Sequence, residues 1–304
     1  MEEDKAMLPT NDYVFQRIFG KVGNEEITKG LISAIIKREV KKVELDESPI
    51  LEKDLRDDKV GVLDVKARLD DDQLCNIEMQ LVQKTNIEKR IMFYWSKLYS
   101  GEIKEGDDYN ELHKTIAILI ADFELDNLKP IEKFHTKWEI REEEYSKIVL
   151  TEVLELHIIE LPKLIEQLNK NHTSKKDKVV LWSLFITNPK ELGEKIMSEN
   201  EDIKKANEEL EKISADKHEQ YLAHLRQKHI MDTKAVEEYG YLKGKKEGRE
   251  EGKAEGEAIG EARGEARGKK EMIKSMLKKG ISIEVVADIS KLSIEEIEKI
   301  IKES

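Results

Sequence analysis

The chain has 304 residues, of which 38% are hydrophobic and 39% charged, and 53 basic against 65 acidic residues give a net charge of −12. This balance excludes an overall basic surface for nucleic acid, and no stretch approaches the roughly 18 continuous apolar residues of a membrane span. The single cysteine, Cys75, rules out an intrachain disulfide, and no signal-like apolar segment opens the chain, so we expect a cytoplasmic protein without a membrane partner.

Two helices are predicted ahead of the first strands. Residues 10–19 carry apolar side chains at helical spacing, and Thr10 or Asn11 can cap the first turn. A second helical pattern covers residues 25–37. The N-terminal part of the chain is therefore expected to be helical.

Residues 60–69 and 74–81 predict the two strands of a hairpin. In both segments the odd-numbered residues are small or apolar and the even-numbered residues are largely polar, which gives each strand one apolar and one polar face. The three aspartates at 70–72 are turn material. A three-residue turn there places Asp64 directly opposite Glu78 on the polar face.

The predicted pairing of two carboxylates suggests a bound cation. Like charges directly opposite each other destabilise a ladder, by roughly a kcal/mol or less. Two carboxylates plus water suit an oxygen-ligated ion such as Mg²⁺, which would offset the repulsion between Asp64 and Glu78. The alternative is that both are solvated surface carboxylates.

Alternating helices and strands are predicted after the hairpin. Residues 86–100 return to helical periodicity, and the almost wholly apolar run at 114–122 predicts a strand buried on both faces. The helix between them would form a crossover connection. Further strands are predicted at 134–140 and 148–161, and the pattern turns helical beyond residue 179. We therefore predict an α/β fold, a mixed central sheet flanked by helices.

The strand predicted at 148–161 contains a candidate for chemistry, His157. A histidine in such a position can serve as a metal ligand or as a base. More often a strand histidine is simply hydrogen-bonded or exposed to solvent. The residue pattern leaves both interpretations open.

Four segments, in this order and spacing, resemble the recombination-promoting nuclease family of the PD-(D/E)XK nuclease superfamily. The resemblance covers residues 7–240 and implies a restriction-endonuclease-like core, DNA as a partner and Mg²⁺, or alternatively Mn²⁺, as the cofactor. It also implies a metal-dependent DNA endonuclease linked to recombination or mobile elements. The segments are NDYVFQRIFG at 11–20, NIEMQ at 76–80, RIMFYWSKLY at 90–99 and GDDY at 106–109.

The resemblance assigns roles to residues of the hairpin. In the superfamily's pattern an Asp and a Glu on neighbouring strands bind the metal, and a Lys two residues after the Glu positions or activates the attacking water. Asp64 and Glu78 match the first two, whereas Gln80 occupies the Lys position. Glutamine carries no charge but can orient a water molecule. Lys66, on the same face, is a candidate for the missing cation.

Three further residues are candidates for accessory roles. Arg90 and Tyr94 lie one helical turn apart and would face substrate, or else provide packing and surface charge. Asp12 would approach the metal site from the first helix. Its alternative role is that of a helix-start carboxylate beside the helix dipole.

Glycine recurs at every fourth residue from Gly240 to Gly268, with charged residues at most of the positions between. Four residues of helix advance by about 400°, so these glycines spiral around a helix instead of holding one face. Each costs a helix roughly 1 kcal/mol relative to alanine. The segment is either a marginally helical, solvated spacer or a self-association helix that forms a homo-oligomer.

Residues 269–304 regain the pattern of a small helical unit. A helix stop is predicted at Gly280, and Ser293 opens a capping box for the last helix. The unit resembles a helix-turn-helix. Its last helix is too acidic for easy phosphate contact, which favours protein binding or self-association over DNA reading.

The sequence thus predicts three regions and two candidate functions. The regions are a nuclease-like domain at 1–240, a glycine-rich charged helical spacer at 241–270 and a small helical unit at 271–304. The first function is the metal-dependent endonuclease. The alternative is a non-catalytic nuclease-fold protein that acts through its C-terminal tail, which the absent lysine, the acidic charge and the long tail favour.

Overall fold

The structure is a computed structural model and describes residues 7–46, 64–83, 86–170, 173–174 and 176–302. The chain divides into two compact units. The first unit comprises Met1–Lys234 and the second Ala235–Ser304.

A mixed sheet forms the centre of the N-terminal unit. In the described chain it has six strands in the order β1-β2-β3-β4-β6-β5. The pairs β3–β4 and β4–β6 are parallel, and the other neighbours are antiparallel. The strands are β1 (Val43–Leu45), β2 (Asp64–Leu69), β3 (Leu74–Gln80), β4 (Thr115–Ala121), β5 (His135–Arg141) and β6 (Val149–Glu160).

Helices flank this sheet, which confirms the predicted α/β class with a mixed central sheet and a helical C-terminal tail. Among the described helices none combines the length and apolarity needed to cross a membrane. The helices are α1 (Asp12–Phe19), α2 (Glu25–Ile36), α3 (Ile87–Ser100), α4 (Leu161–Asn169), α5 (Lys178–Thr187), α6 (Gly193–Glu199), α7 (Glu201–Ala215), α8 (Lys217–Lys278), α9 (Ile283–Ser290) and α10 (Ile294–Lys302).

The predicted start of the first helix is confirmed. Asn11 caps α1, because its side-chain oxygen accepts hydrogen bonds from the amides of Tyr13 and Val14 at 3.0 and 3.4 Å. These bonds satisfy two of the amides that the first turn of a helix leaves free. Of the two candidates at this terminus, Asn11 is the residue that caps.

The predicted hairpin is confirmed in its register. A 3₁₀ turn, Asp70–Asp72, joins β2 to β3, and the amide of Leu69 donates to the carbonyl of Gln73 at 2.8 Å. A three-residue turn at this position pairs Asp64 with Glu78 and Val65 with Ile77, and this register sets the faces of both strands. Residues 60–63, predicted as the start of the first strand, lie outside the described residues.

The two faces of the sheet bury different cores. The face that carries Val65 and Ile77 packs against α1, α2, α5 and α7. The opposite face packs against α3, whose Ile87 and Ile91 contact Leu119 and other apolar residues of β4. As predicted, β4 is buried along its whole length and runs parallel to β3 through the crossover of α3.

The C-terminal unit contains the end of α8 and the two short helices α9 and α10. Its core is formed by Ile273, Val286 and Ile297. As predicted, α8 stops just before Gly280, whose φ of +81° is readily adopted by glycine. The capping box at the start of α10 is also present, because the Ser293 hydroxyl accepts from the Glu296 amide at 3.2 Å and the Ser293 amide donates to the Glu296 carboxylate at 2.8 Å.

The glycine repeat lies within α8. A methyl group built at each glycine from Gly240 to Gly268 would meet no described atom within 4 Å, apart from its chain neighbours and the backbone of the adjacent helical turns. Nothing in the described chain therefore requires glycine at these positions through close contact. The repeat and its flanks expose large apolar side chains: Val236, Tyr239, Tyr241, Leu242 and Ile259.

Candidate active site

Asp64 and Glu78 are direct partners in the ladder between β2 and β3. This pairing was predicted from the alternation of the two strands and the length of the turn. The Asp64 side chain is 24% exposed, and the Glu78 side chain is 5% exposed. One carboxylate is therefore open to solvent while its partner is buried.

The burial of Glu78 is caused by α3. Ile87 and Ile91 of this helix pack on the same face of the sheet, and the Trp95 indole donates to the carbonyl of Thr115 at 2.9 Å. The helix thus covers the polar face of β3, so that Asn76 and Gln80 are also buried. Alternation alone would expose this polar face of β3 to solvent, but α3 covers it.

Two side chains donate to the same oxygen of Glu78. Gln80 Nε2 lies 2.5 Å and Arg90 Nε 3.2 Å from Glu78 Oε1. Among the described residues, no side chain donates a hydrogen bond to Glu78 Oε2. Burial raises the pKa of Glu78 above its usual range, against the opposing effect of Arg90, and the facing Asp64 carboxylate raises it further. The site therefore places two carboxylates opposite each other, with Arg90 beside Glu78 and the more exposed Lys66 at 3.9 Å from Asp64.

Arg90 connects this carboxylate to the surface of α3. Its guanidinium carbon lies 5.0 Å from the centre of the Tyr94 ring, a cation–π distance. In the described chain Arg90 Nη2 and Asn76 Oδ1 are buried without a hydrogen-bond partner. A cavity of about 10 Å³ borders Asn76, Glu78 and Tyr94, which is close to the space that one water molecule needs.

The other predicted accessory residues lie in different surroundings. Lys66 Nζ is 3.9 Å from Asp64 Oδ2, and the lysine side chain is 43% exposed. Asp12 is buried in a two-pronged ion pair, with Arg226 Nε at 2.9 Å from Oδ1 and Arg226 Nη2 at 2.6 Å from Oδ2. The pair joins α1 to α8, so the described partner of Asp12 is an arginine of the long helix.

His157 is buried in a chain of hydrogen bonds on the opposite face of the sheet. Its Nε2 lies 2.8 Å from Glu155 Oε1, and its Nδ1 lies 2.9 Å from His135 Nε2. Of the two interpretations that the sequence left open, the structure shows the hydrogen-bonded strand histidine. It does not join the Asp64–Glu78 pair.

Asp122 is a carboxylate that sequence reasoning did not select. It directly follows β4, and its amide donates to the carbonyl of Gln80 at 2.9 Å. This places it at the carboxyl ends of the two parallel strands β3 and β4, where ligands bind in open α/β sheets. The available signal was an aspartate at the end of a buried apolar strand.

The donors at the hairpin fit a hard divalent ion in type and number. Mg²⁺ keeps several waters and takes only one or two protein carboxylates together with substrate phosphates. Asp64 supplies an exposed carboxylate, and Glu78 supplies an oxygen, Oε2, that no described side chain uses. Among the described residues no group of three or more His, Cys, Asp or Glu side chains is arranged to hold a metal ion.

The comparison with protein families covers the residues of this candidate site. A family model described as PD-(D/E)XK nuclease family transposase matches residues 9–240. The chain belongs to this family. The match confirms the predicted resemblance and contains the whole hairpin with Asp64, Glu78 and Gln80. A search of curated proteins and a search of solved structures each found no significant match. Residues 9–240 are thus a nuclease-family transposase domain.

Proposed function

We propose that the nuclease-family domain is a metal-dependent DNA endonuclease that hydrolyses phosphodiester bonds. The observation that carries the proposal is the direct pairing of Asp64 with Glu78 inside the family match. Two carboxylates held opposite each other repel. In the described chain each has one cation beside it, Arg90 at 3.2 Å from Glu78 and Lys66 at 3.9 Å from Asp64, and a divalent ion shared by both carboxylates would offset the repulsion that remains. The family description links the domain to transposition and so to recombination or mobile elements.

In this proposal Asp64 and Glu78 hold Mg²⁺, with Mn²⁺ as a substitute. A bound ion of this kind lowers the pKa of a water ligand and stabilises charge on a phosphoryl oxygen. Arg90 and Gln80 hold Glu78 through Oε1, so Oε2 would be the oxygen available to the ion. The partial exposure of Asp64 keeps the site open to a phosphate group.

Gln80 takes the place of the lysine of the superfamily pattern. Its Nε2 donates to Glu78, so its side-chain oxygen is left as an acceptor for the O–H of a water molecule. It thereby orients the attacking water without contributing charge. The cation at the site is Arg90, whose guanidinium contacts Glu78 directly.

A plasmid nicking assay tests the proposal. Supercoiled DNA is incubated with Mg²⁺ and with wild type, Asp64→Ala, Glu78→Ala or Asp72→Ala, and each reaction is repeated with EDTA. Asp72 is the matched control, because it is an exposed carboxylate of the same hairpin. We expect nicking by wild type and Asp72→Ala only, and none with EDTA. Equal nicking by all four proteins would mean that the site is wrongly assigned.

A second candidate function is a non-catalytic protein that self-associates or binds proteins through its tail. The exposed apolar side chains of α8, among them Tyr239 at 69% and Leu242 at 56% exposure, favour it. In that case Asp64 and Glu78 would be idle. No nicking with either Mg²⁺ or Mn²⁺, together with a dimer in light scattering that is lost when residues 235–304 are removed, would support this function.

A further inference from the structure

The outer face of α3 carries apolar and basic side chains that the described chain does not cover. Met92, Phe93 and Tyr94 are 42%, 61% and 37% exposed. Lys89 and Lys97 are also exposed and lie one turn to either side of Phe93, on the same face at helical spacing. The inner face of the same helix is buried through Ile87 and Ile91. The helix therefore has one apolar face that packs on the sheet and a second, partly aromatic face that is exposed.

The exposed aromatic residues are continuous with the candidate active site. Phe93 and Tyr94 form an edge-to-face pair with ring centres 5.5 Å apart. Tyr94 in turn lies under the Arg90 guanidinium, and Arg90 donates to Glu78. A ligand that contacts the Phe93 ring is thus two side chains away from the buried carboxylate.

The charge of this helix differs from that of the whole chain. The chain carries −12, whereas α3 contains Lys89, Arg90 and Lys97 against a single acid, Glu88. In the described chain Lys89 and Lys97 form no ion pair. Two uncommitted cations beside aromatic rings attract a phosphate backbone locally, although the net charge of the chain does not.

An acidic protein gains little affinity for duplex DNA, because nonspecific duplex binding comes almost entirely from contacts between cations and phosphates. Stacking on aromatic rings is a different source of affinity and tolerates any base sequence. The faces of duplex bases are already stacked on each other and are not accessible to Phe93. Only unpaired bases can use such a surface.

We propose that the exposed face of α3, formed by Lys89, Met92, Phe93, Tyr94 and Lys97, binds unpaired nucleobases. The substrate is then DNA with a single-stranded segment, such as a flap, gap or loop. The lysines hold the backbone while a base stacks on the Phe93–Tyr94 pair, and this delivers the adjoining phosphate to Asp64 and Glu78. The inference rests on the proposed nuclease function for its choice of ligand.

Binding is measured apart from cleavage, in full-length protein that carries Asp64→Ala. Fluorescence anisotropy compares a labelled 20-nucleotide single strand with the blunt duplex of the same sequence. We expect the single strand to bind at least tenfold more tightly. Adding Phe93→Ala should weaken single-strand binding by roughly five- to a hundredfold, the range for loss of one stacked base. Equal affinity for both DNAs, or no effect of Phe93→Ala, would overturn the proposal.

Two further variants separate base stacking from simple apolar contact. Phe93→Leu keeps an apolar side chain but removes the ring, so it should weaken single-strand binding nearly as much as Phe93→Ala. Tyr145→Ala is the control, since Tyr145 is a 64% exposed aromatic residue in the turn between β5 and β6, and it should leave binding unchanged. A dimer that Phe93→Ala dissociates would assign the surface to a second copy of the chain instead.

A cleavage arm distinguishes failure of this inference from failure of the proposed function. Wild type is incubated with Mg²⁺ and either a flapped or a fully paired substrate. Preferential cutting of the flap that Phe93→Ala abolishes supports both. Equal cutting of both substrates supports the nuclease function and contradicts the binding of unpaired bases by α3. Tight single-strand binding without any cleavage retains the α3 surface and overturns the nuclease.

Discussion

Two glutamates lie on opposite faces of the same sheet, are equally buried at 4% exposure and have pKa values shifted in opposite directions. Glu78 on β3 faces α3, and Glu155 on β6 faces the larger core. The exposed fraction of the two residues is the same, so solvent exposure alone does not separate them. The difference must come from the side chains that surround each carboxylate.

Glu155 is satisfied on both oxygens. Lys114 and Lys137 lie 2.5 and 3.2 Å from Oε2, and His157 lies 2.8 Å from Oε1. Burial acts to raise the pKa of Glu155, but the hydrogen bonds from His157 and Lys114 outweigh it and hold that pKa well below the usual range. This network joins β5 and β6 and needs no external partner.

Glu78 receives both of its hydrogen bonds on one oxygen and faces a second carboxylate across the ladder. Burial prevails and the pKa of Glu78 is raised. In the proposed function this carboxylate gains a divalent cation, whose charge favours the ionised form of Glu78. We infer that Glu155 stabilises the fold and that Glu78 is available for chemistry. Variants of the two residues test this difference.

The largest expected effect is the loss of nuclease activity in Glu78→Gln. Removal of groups that merely support a metal ligand costs 10–100-fold, so we expect loss of the ligand itself to lower the nicking rate roughly a thousandfold. The free energy of unfolding should stay within about 1 kcal/mol of wild type, because burial already disfavours the charge that is removed and the glutamine oxygen can still accept the hydrogen bond of Arg90 Nε. Initial nicking rates and urea denaturation measure the two quantities. A large loss of stability would place Glu78 with the structural carboxylates.

Glu155→Gln should show the reverse pattern. It leaves Lys114 and Lys137 without their shared carboxylate. Breaking a buried pair by removing one partner costs 3–5 kcal/mol, and because both lysines are partly exposed we expect the lower end, about 3 kcal/mol. Urea denaturation measures this loss. Glu166→Gln is the control, since its pair with Lys170 is exposed, and its unfolding midpoint should match that of wild type.

Acidification should destabilise the domain through His135. Burial chiefly, then the neighbouring His157 and Lys37, lower the pKa of His135 from 6.5 to about 4, against a weaker opposing effect of Asp177. The unfolded chain therefore binds a proton between these pH values that the folded chain does not. Stability is present above pH 6.5 and is lost as pH falls towards 4.

Between pH 7 and pH 5 this linkage amounts to about 2 kcal/mol. Urea denaturation of wild type and His135→Gln at both pH values measures it. The variant should lose about that much less stability than wild type over the interval. Equal losses in the two proteins would show that His135 is already protonated in the folded state or titrates normally.

Local patterns predicted many of the helices and strands and the pairing of the hairpin, because alternation and turn length are properties of neighbouring residues. They did not predict the short edge strand β1 or the helix α4. The register of Asp64 and Glu78 followed from three aspartates in a turn. The burial of Glu78 did not follow, since it depends on α3 packing over β3. The ion pair of Asp12 with Arg226 joins residues 214 positions apart, and no local pattern contains such a contact.

Helix propensity was also an incomplete guide to the tail. Eight glycines predicted at best a marginal helix, yet all of them lie within α8, Lys217–Lys278. The capping box at Ser293 and the helix stop at Gly280 were predicted correctly, because each is set within a few residues. The role of the tail as spacer or oligomerisation helix stays a prediction.

The smallest expected effect distinguishes the two cations of the site. Arg90 contacts Glu78 through Nε and lies over Tyr94, whereas Lys66 is half exposed and 3.9 Å from Asp64. Arg90→Lys keeps the charge but loses the planar group that makes both contacts, and we expect nicking to slow about tenfold, as for other residues that position a metal ligand. Lys66→Ala should slow it less than threefold, since a pair that long and exposed is weak. The reverse order would identify Lys66 as the residue that replaces the missing lysine of the superfamily pattern, and would reduce Arg90 to a residue that packs α3 onto the sheet.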